Sequence, residues 1–247
     1  HLPNPESGSA VAIGGNIAGG IDNAGPTGAG STIVSASITG NGIASTPVFL
    51  ISPTVQGVAA PTPITIGVYT ADTLDPGYSF YNRGSITATP IDPNISASAV
   101  VISGASPVAP LTMTGGIFSS GLISATAGTN ELIPATTTAP VTATALTIGQ
   151  FTTIPKLTVS TEAISGVKTT SGSISASVSG IGGGVAAAVS IQQNASMPEI
   201  DLLAGSSIQA TSTTPTAAPT QPVLLEAFGI DHLSGNLLTV NHAGTIT

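Results

Sequence analysis

The chain has 247 residues, of which only 6% are charged, against about a quarter in an ordinary soluble domain. Three basic residues (Arg83, Lys156 and Lys168) stand against eleven acidic ones, for a net charge of −8. A nucleic acid or an anionic lipid surface needs a cationic face, so both are excluded as partners. There is no cysteine, which excludes disulfides, thiolate chemistry and cysteine metal sites.

Hydrophobic residues make up 41% of the chain, too many for charge-driven disorder. Val, Ile and Thr are abundant; they are stiff at χ1 and favour extended backbone, so the fold class predicted is all-β. No run of about 18 apolar residues occurs, so no membrane-spanning helix and no direct membrane insertion of this segment is expected. At 3% aromatic, the chain cannot supply the girdles of a membrane barrel.

Residues 1–8 read as an irregular lead-in. Residues 9–59 read as degenerate N-terminal coils, with Ile21 to Gly25 and Gly40 to Ala44 as worn copies of a corner phrase. Residues 60–247 read as regular repeats of the same continuous domain. The corner phrase is Gly or Ser, a small residue, then Ile or Leu-Ile. It occurs at Asn82 to Ala88, Ser120 to Ala125, Ser171 to Ala176, Gly205 to Ala210 and His242 to Thr247. A second phrase, Ala-Val-x-Ile, occurs at Ala10 to Gly14, Pro63 to Gly67, Ala99 to Ser103, Ala145 to Gly149 and Ala188 to Gln192, with Val223 to Ala227 as a looser copy. A third, period-2 element occurs at Leu111 to Thr114, Leu157 to Ser160, Ile200 to Leu203 and Leu237 to Val240.

Ile86, Ile123, Ile174, Ile208 and Ile246 are 37, 51, 34 and 38 residues apart. Fixed strands with elastic connections are the mark of stacked repeats. The prediction is a parallel β-helix, or β-solenoid, of 34–51-residue repeats, each of three strands, with one coil or two short coils per repeat. Pro/Thr-rich loops interrupt it at Thr89 to Pro93, Pro134 to Pro140 and Thr211 to Pro222, because proline cannot donate to a ladder. Corner glycines are expected for backbone angles that other residues avoid. The sequence stops inside a corner phrase, at Ile246-Thr247, so a longer chain is expected.

These phrases resemble the repetitive passenger regions of autotransporter-like bacterial surface proteins. Leu237-Leu238-Thr239-Val240-Asn241-His242-Ala243-Gly244-Thr245-Ile246-Thr247 is the nearest match in style, and the likeness covers roughly residues 60–247. The resemblance implies a right-handed β-helix, secretion, an extracellular position on the cell surface, and adhesin or surface-layer roles.

No residues stand out as catalytic, cofactor-binding or metal-ligating. Asp72 with Asp75, and Glu199 with Asp201, are the candidate carboxylate pairs for glycan cleavage. Asp72 to Gly77 reads more simply as a turn. Asp231-His232 with His242 offers too few ligands for a metal, and Gly182-Gly183-Gly184 lacks the lysine of a phosphate loop. Tyr69, Tyr78, Phe80 and Tyr81 cluster beside Arg83, and Tyr78, Phe80, Tyr81 and Arg83 are the candidate partner-contact patch; the alternative is a loop packed over the coil. Asn94 and Asn194 open Asn-x-Ser sequons and are candidate glycosylation sites. The function expected is a non-catalytic structural or adhesive β-solenoid. Its partners would be surface glycans, surface proteins or further copies of itself. The alternatives are a self-assembling filament, pilus-like thread or surface-layer subunit, and then a β-helix carbohydrate enzyme.

Overall fold

The computed structural model describes residues 8–23, 36–40, 45–72, 75–130, 140–164, 168–214 and 224–247. Among them there is no α-helix, and one short 3-10 turn spans Pro53–Gln56. The strands follow one another in six circuits. The first holds β1 (Val11–Ile13), β2 (Ile21–Asn23) and β3 (Ser37–Gly40). The second holds β4 (Phe49–Ile51), β5 (Ile64–Ile66), β6 (Tyr78–Asn82) and β7 (Ser85–Ala88). The third holds β8 (Ala97–Ile102), β9 (Leu111–Met113), β10 (Gly116–Ser119) and β11 (Leu122–Thr129). The fourth holds β12 (Thr142–Ile148), β13 (Thr152–Thr153), β14 (Lys156–Val159), the hairpin β15 (Thr161–Ile164) and β16 (Lys168–Ser171), and β17 (Ser173–Gly180). The fifth holds β18 (Gly184–Ile191), β19 (Glu199–Leu202) and β20 (Ser207–Thr213), and the sixth β21 (Leu225–His232), β22 (Thr239–His242) and β23 (Thr245–Ile246).

Successive strands of one circuit join different sheets, and each strand pairs with its counterpart one circuit away. Sheet I runs β1-β4-β8-β12-β18-β21, sheet III runs β2-β6-β10-β14-β19-β22 and sheet IV runs β3-β7-β11-β17-β20-β23. Sheet II is the short one, β5-β9-β13, extended by single parallel bridges at Ile17, Ser196 and Asn236. Pairing in sheets I to IV is parallel; among the described strands the pair β15–β16 is antiparallel, as is the isolated bridge between Ser106 and Ala109. The fold is therefore all-β with parallel sheets, consistent with a β-helix, and each repeat is one circuit.

The corner-phrase copies fall in one register. Ile38, Ile86, Ile123, Ile174, Ile208 and Ile246 stand opposite one another along sheet IV. The four from Ile86 to Ile208 have no exposure. Two parallel columns close the core: Ile13, Ile51, Ile102, Ile148 and Ile191 in sheet I, and Ile21, Phe80, Ile117, Leu157 and Ile200 in sheet III, continued in register by the exposed Val240 of the last circuit. Burying each such aliphatic side chain contributes about 1.5–3 kcal/mol. Parallel stacking makes this possible because one circuit has too few apolar residues to close a core alone. In sheet I the ladder steps over Ala99, Ala145, Ala188 and Gly229. Each circuit bends at that small residue, and Ala99 with Val100 both end up buried.

Several sequence expectations are corrected. Ile64–Ile66 of Pro63 to Gly67 pairs with Leu111–Met113, so both belong to sheet II. Their places in sheets I and III are taken by Phe49–Ile51 and Gly116–Ser119. The repeat thus has four strand positions where three were expected; sheet II escaped notice because its strands are only two or three residues long. Ile21–Asn23 is a sheet III strand, and the corner-phrase copy of the first circuit is Ser37–Gly40; 24–25 and 41–44 lie outside the described residues. In sheet I the partners of Val189 and Ile191 are Ile230 and His232, three and five residues past the end of the Val223 to Ala227 copy. Thr211–Thr213 extends β20 against Ser177–Ser179, since the β-branched threonines keep pairing until the first proline at 215. The rest of that loop lies largely outside the described residues, as do 131–139 and residues 1–7 of the lead-in.

Where sheet III turns into sheet IV, an amide ladder runs inside the wall. Asn23 Nδ2 donates to Asn82 Oδ1 at 2.8 Å, and Asn82 Nδ2 donates to Ser119 Oγ at 3.2 Å and to the Leu122 carbonyl at 3.3 Å. All three polar side chains are buried. Asn82→Ala is expected to cost about 2–3 kcal/mol in denaturant unfolding, because it leaves the Asn23 amide buried without its acceptor. A cost below about 0.5 kcal/mol would mean that the ladder is solvated.

Candidate functional site

Five charged side chains, Asp22, Asp72, Asp75, Arg83 and Glu162, gather at one place on the outer face of sheet III. Along a strand, side chains alternate sides. Phe80 points into the core and stacks on Phe49 with ring centroids 5.2 Å apart and planes 13° from parallel. Tyr81 points outward. Register places Asp22, Tyr81, Phe118 and Thr158 in one outer column. Tyr78 leans on Tyr81 and Phe118 at 5.6 and 5.3 Å, and Tyr69 on Tyr81 at 5.7 Å. This is a second, aromatic core on the outside of the sheet.

Two excursions cover it: residues 67–72 and 75–77, between β5 and β6, and the paired strands β15 and β16. Arg83 ties both down. Its Nε donates to Glu162 Oε2 at 2.9 Å and Oε1 at 3.1 Å, and its Nη2 to Oε1 at 2.9 Å. Nη1 lies 2.5 Å from Asp72 Oδ2 as an ion pair without hydrogen-bond direction, and Nη2 lies 3.8 Å from Asp75 Oδ2. The guanidinium carbon sits 5.0 Å from the Tyr81 ring centre and 5.1 Å from that of Phe118. Ser120 Oγ donates to Glu162, and the Tyr81 hydroxyl to the Asp75 carbonyl. Asp75 N–H donates to Asp72 Oδ1 at 2.9 Å, so the sequence-predicted turn is present, folded inward.

The charges do not balance. One guanidinium meets Asp22, Asp72, Asp75 and Glu162. Burial opposes the charge of Arg83, but its hydrogen bonds to Glu162, its close contact with Asp72 and the charges of both acids outweigh it and raise its pKa. Burial pushes Asp22 up to about 6 against the pull of Arg83. Both of its oxygens are shielded and have no hydrogen bond of ordinary length and angle, and Arg83 and the nearby Tyr69 hydroxyl lower its pKa without outweighing burial. Burial, helped by the hydrogen bond and charge of Glu162, raises Asp75 to about 6. Burial likewise pushes the Tyr81 hydroxyl up to about 12.

Tyr78, Phe80, Tyr81 and Arg83 are 7%, 0%, 0% and 3% exposed, so what they touch is the protein's own interior. The loop packed over the coil describes them. Sequence reasoning placed Tyr69 in the cluster but missed Asp22, Phe118 and Glu162. Aligning Ile21-Asp22-Asn23 with Phe80-Tyr81-Asn82 on the shared asparagine would have found Asp22. Glu162 joins its partner across 79 positions and carries no local signal.

The other candidates sit apart. Asn241 Nδ2 bridges Asp201 Oδ1 at 2.9 Å and Glu199 Oε1 at 3.4 Å on the outer face of sheet III. His232 and His242 lie on different sheets, and His232 Nε2 meets the Gly235 carbonyl at 2.8 Å. Among the described residues no group of three or more His, Asp or Glu is placed to hold a metal. Gly183 and Gly184, with φ of +61° and +153°, form the turn between β17 and β18. Asn94 and Asn194 are both left-handed corner residues, with φ of 64° and 61°. The Asn94 amide donates to Asn130 Oδ1 at 2.6 Å and its oxygen accepts from Asn130 N–H at 3.1 Å, whereas Asn194 is exposed. Comparison with family models, with curated proteins and with solved structures finds no match for this chain.

Proposed function

We propose that this chain is a segment of a non-catalytic, extracellular β-helix that serves as the structural or adhesive stalk of a cell-surface protein, of the autotransporter-passenger kind. The observation that carries the reading is the uninterrupted register of the isoleucine column through six circuits of parallel strands. Such a fold gives length and a repeated surface from few kinds of residue. The outer face of sheet IV suits a surface protein: Ser37 and Ser85, then Leu122, then Ser173 and Ser207 line up, with Thr87, Ser124 and Ser175 beside them, and these stacked positions bring no like charges together. The proposed hand is right, because parallel strands of one sheet joined by a crossover are right-handed in about 98% of cases. Its partners are surface glycans or proteins. Self-assembly is the second reading; it is favoured by Leu225, Leu233 and Leu238 of the last circuit, which are 45%, 52% and 76% exposed.

Intact cells of the source organism, treated with a protease that cannot cross the envelope, test the first reading. The segment is expected to disappear from an immunoblot while cytoplasmic markers survive. Full protection of the segment in intact cells, with cleavage only after lysis, would overturn it. Sedimentation of the purified chain at rising concentration tests the second: a constant monomer removes it.

A further inference from the structure

The covering of sheet III is held by a cluster with more negative charge than it can pair. The groups involved come from every element packed there. β2 supplies Asp22; β6 and the corner after it supply Tyr78, Tyr81 and Arg83; residues 67–72 and 75–77 supply Tyr69, Asp72 and Asp75; β15 supplies Glu162; and β14 supplies Lys156, whose Nζ lies 5.0 Å over the Tyr78 ring. β10 contributes Phe118 and, just after it, Ser120, neither of which titrates in this range.

We propose that strands β15 and β16 and residues 67–72 and 75–77 form an acid-tightened strap: the ionic cluster seats them firmly on sheet III in mildly acidic surroundings, and surplus negative charge loosens them at neutral and alkaline pH. The geometry gives the reason. Arg83 has one guanidinium, and Glu162 takes its forked edge. Asp75, whose side chain is 38% exposed, stands 3.8 Å from the same Nη2 and competes for it when ionised. Asp22 lies beneath, with both oxygens shielded and unpartnered. When Asp75 holds a proton it ceases to compete and becomes a donor toward Glu162. When Asp22 holds one, the buried unpaired charge is gone.

The direction follows from linkage. Both acids titrate near 6 in the folded chain, above the ordinary 3.8. Between those values the folded state holds protons that the unfolded or unseated state has released, so the stabilisation is present in mild acid and lost as pH rises through about 6.

The chain carries its own probe. It has three tyrosines and no tryptophan, and Tyr69, Tyr78 and Tyr81 all stand in this cluster. The tyrosine near-UV circular dichroism of the intact chain is expected to change with a midpoint near pH 6. Amide exchange at Glu162 and Thr170, corrected for intrinsic rates, is expected to be about tenfold slower at pH 5 than at pH 8, a factor that allows for solvent screening of the partly exposed Asp75. In the double variant Asp22→Asn/Asp75→Asn, which mimics the protonated acids and removes no contact, both signals are expected to stay at their acid values across that range. Glu162→Gln should raise hairpin exchange at both pH values. Equal corrected exchange at pH 5 and pH 8 in the natural chain would overturn the proposal, as would persistence of the transition in the double variant.

Discussion

Arg83→Ala is expected to lower the unfolding free energy by about 3–5 kcal/mol, the usual cost of removing one partner from a buried ion pair. The Arg83 side chain is fully buried, and Asp72 and Glu162 are 0% and 8% exposed at theirs. Without the guanidinium, both acids are left in a poorly solvating site beside Asp22, which already lacks a partner. The arginine also fills space between the rings of Tyr81 and Phe118, so packing is lost with the charge. The damage should be local: far-UV circular dichroism keeps its strand signature while tyrosine near-UV signal falls. Urea unfolding of the two proteins measures the cost. A loss under about 1 kcal/mol would mean that water reaches the cluster and screens it as at a surface pair.

The second large effect is expected at the corner leading into sheet IV. A Cβ on Gly121 would lie 2.0 Å from the Gly84 carbonyl oxygen. Gly84, Gly172 and Gly244 have the same problem, at 2.2 Å from Ala36 O, 2.3 Å from Ser119 O and 2.5 Å from Ser206 O. These glycines precede the isoleucine column by two residues, and none has a positive φ. They are glycine because the backbone of the previous circuit or corner comes too close for a side chain. The expectation that corner glycines serve unusual backbone angles holds at Gly205 of the fifth copy, with φ of +81°, and is corrected at these four. The close approach has its own cause: Ser120 and Gly121 N–H both donate to the Asn82 carbonyl, at 3.0 and 2.9 Å, as Arg83 and Gly84 N–H both do to Asn23, at 3.1 Å each. Gly121→Ala must push two circuits apart and is expected to cost about 3 kcal/mol, the upper end of ordinary overpacking. Gly128→Ala, in the same strand, meets nothing nearer than 4.0 Å and is expected to be neutral or stabilising by up to about 1 kcal/mol. Comparable destabilisation by both would show that the corner packing is not as described.

What was legible in the sequence is what stacking repeats. The Gly-x-Ile copies announced sheet IV because each inward isoleucine must sit on the next, and insertion is confined to the connections. The Ala-Val-x-Ile copies at 99–102, 145–148 and 188–191 announced sheet I for the same reason. Sheet III was harder. Its inner column mixes Ile21, Phe80, Ile117, Leu157, Ile200 and Val240, so composition does not mark it, and Leu111-Thr112-Met113 of sheet II imitates it within a few residues. The cluster was legible only by half. Tyr78, Tyr81 and Arg83 drew notice as rare residue types, yet a rare type on the outside of a sheet reads the same whether solvent or a loop covers it. What covers it is the hairpin, inserted where the interval between Ile123 and Ile174 is longest, 51 residues. That long interval was the one local sign of an added element.

Parallel strands stacked in register, one per circuit, underlie every feature above, and spin labels test them directly because the chain has no cysteine of its own. Thr39, Thr87, Ser124 and Ser175 succeed one another along the outer face of sheet IV. Adjacent positions should lie about 4.8 Å apart at the backbone. Nitroxides on the pairs 124/175, 87/175 and 39/175, introduced as cysteines, should give electron paramagnetic resonance spectra whose dipolar broadening is strongest for the first pair and falls in that order. Equal broadening in all three, or stronger broadening in 39/175 than in 124/175, would contradict the stacking.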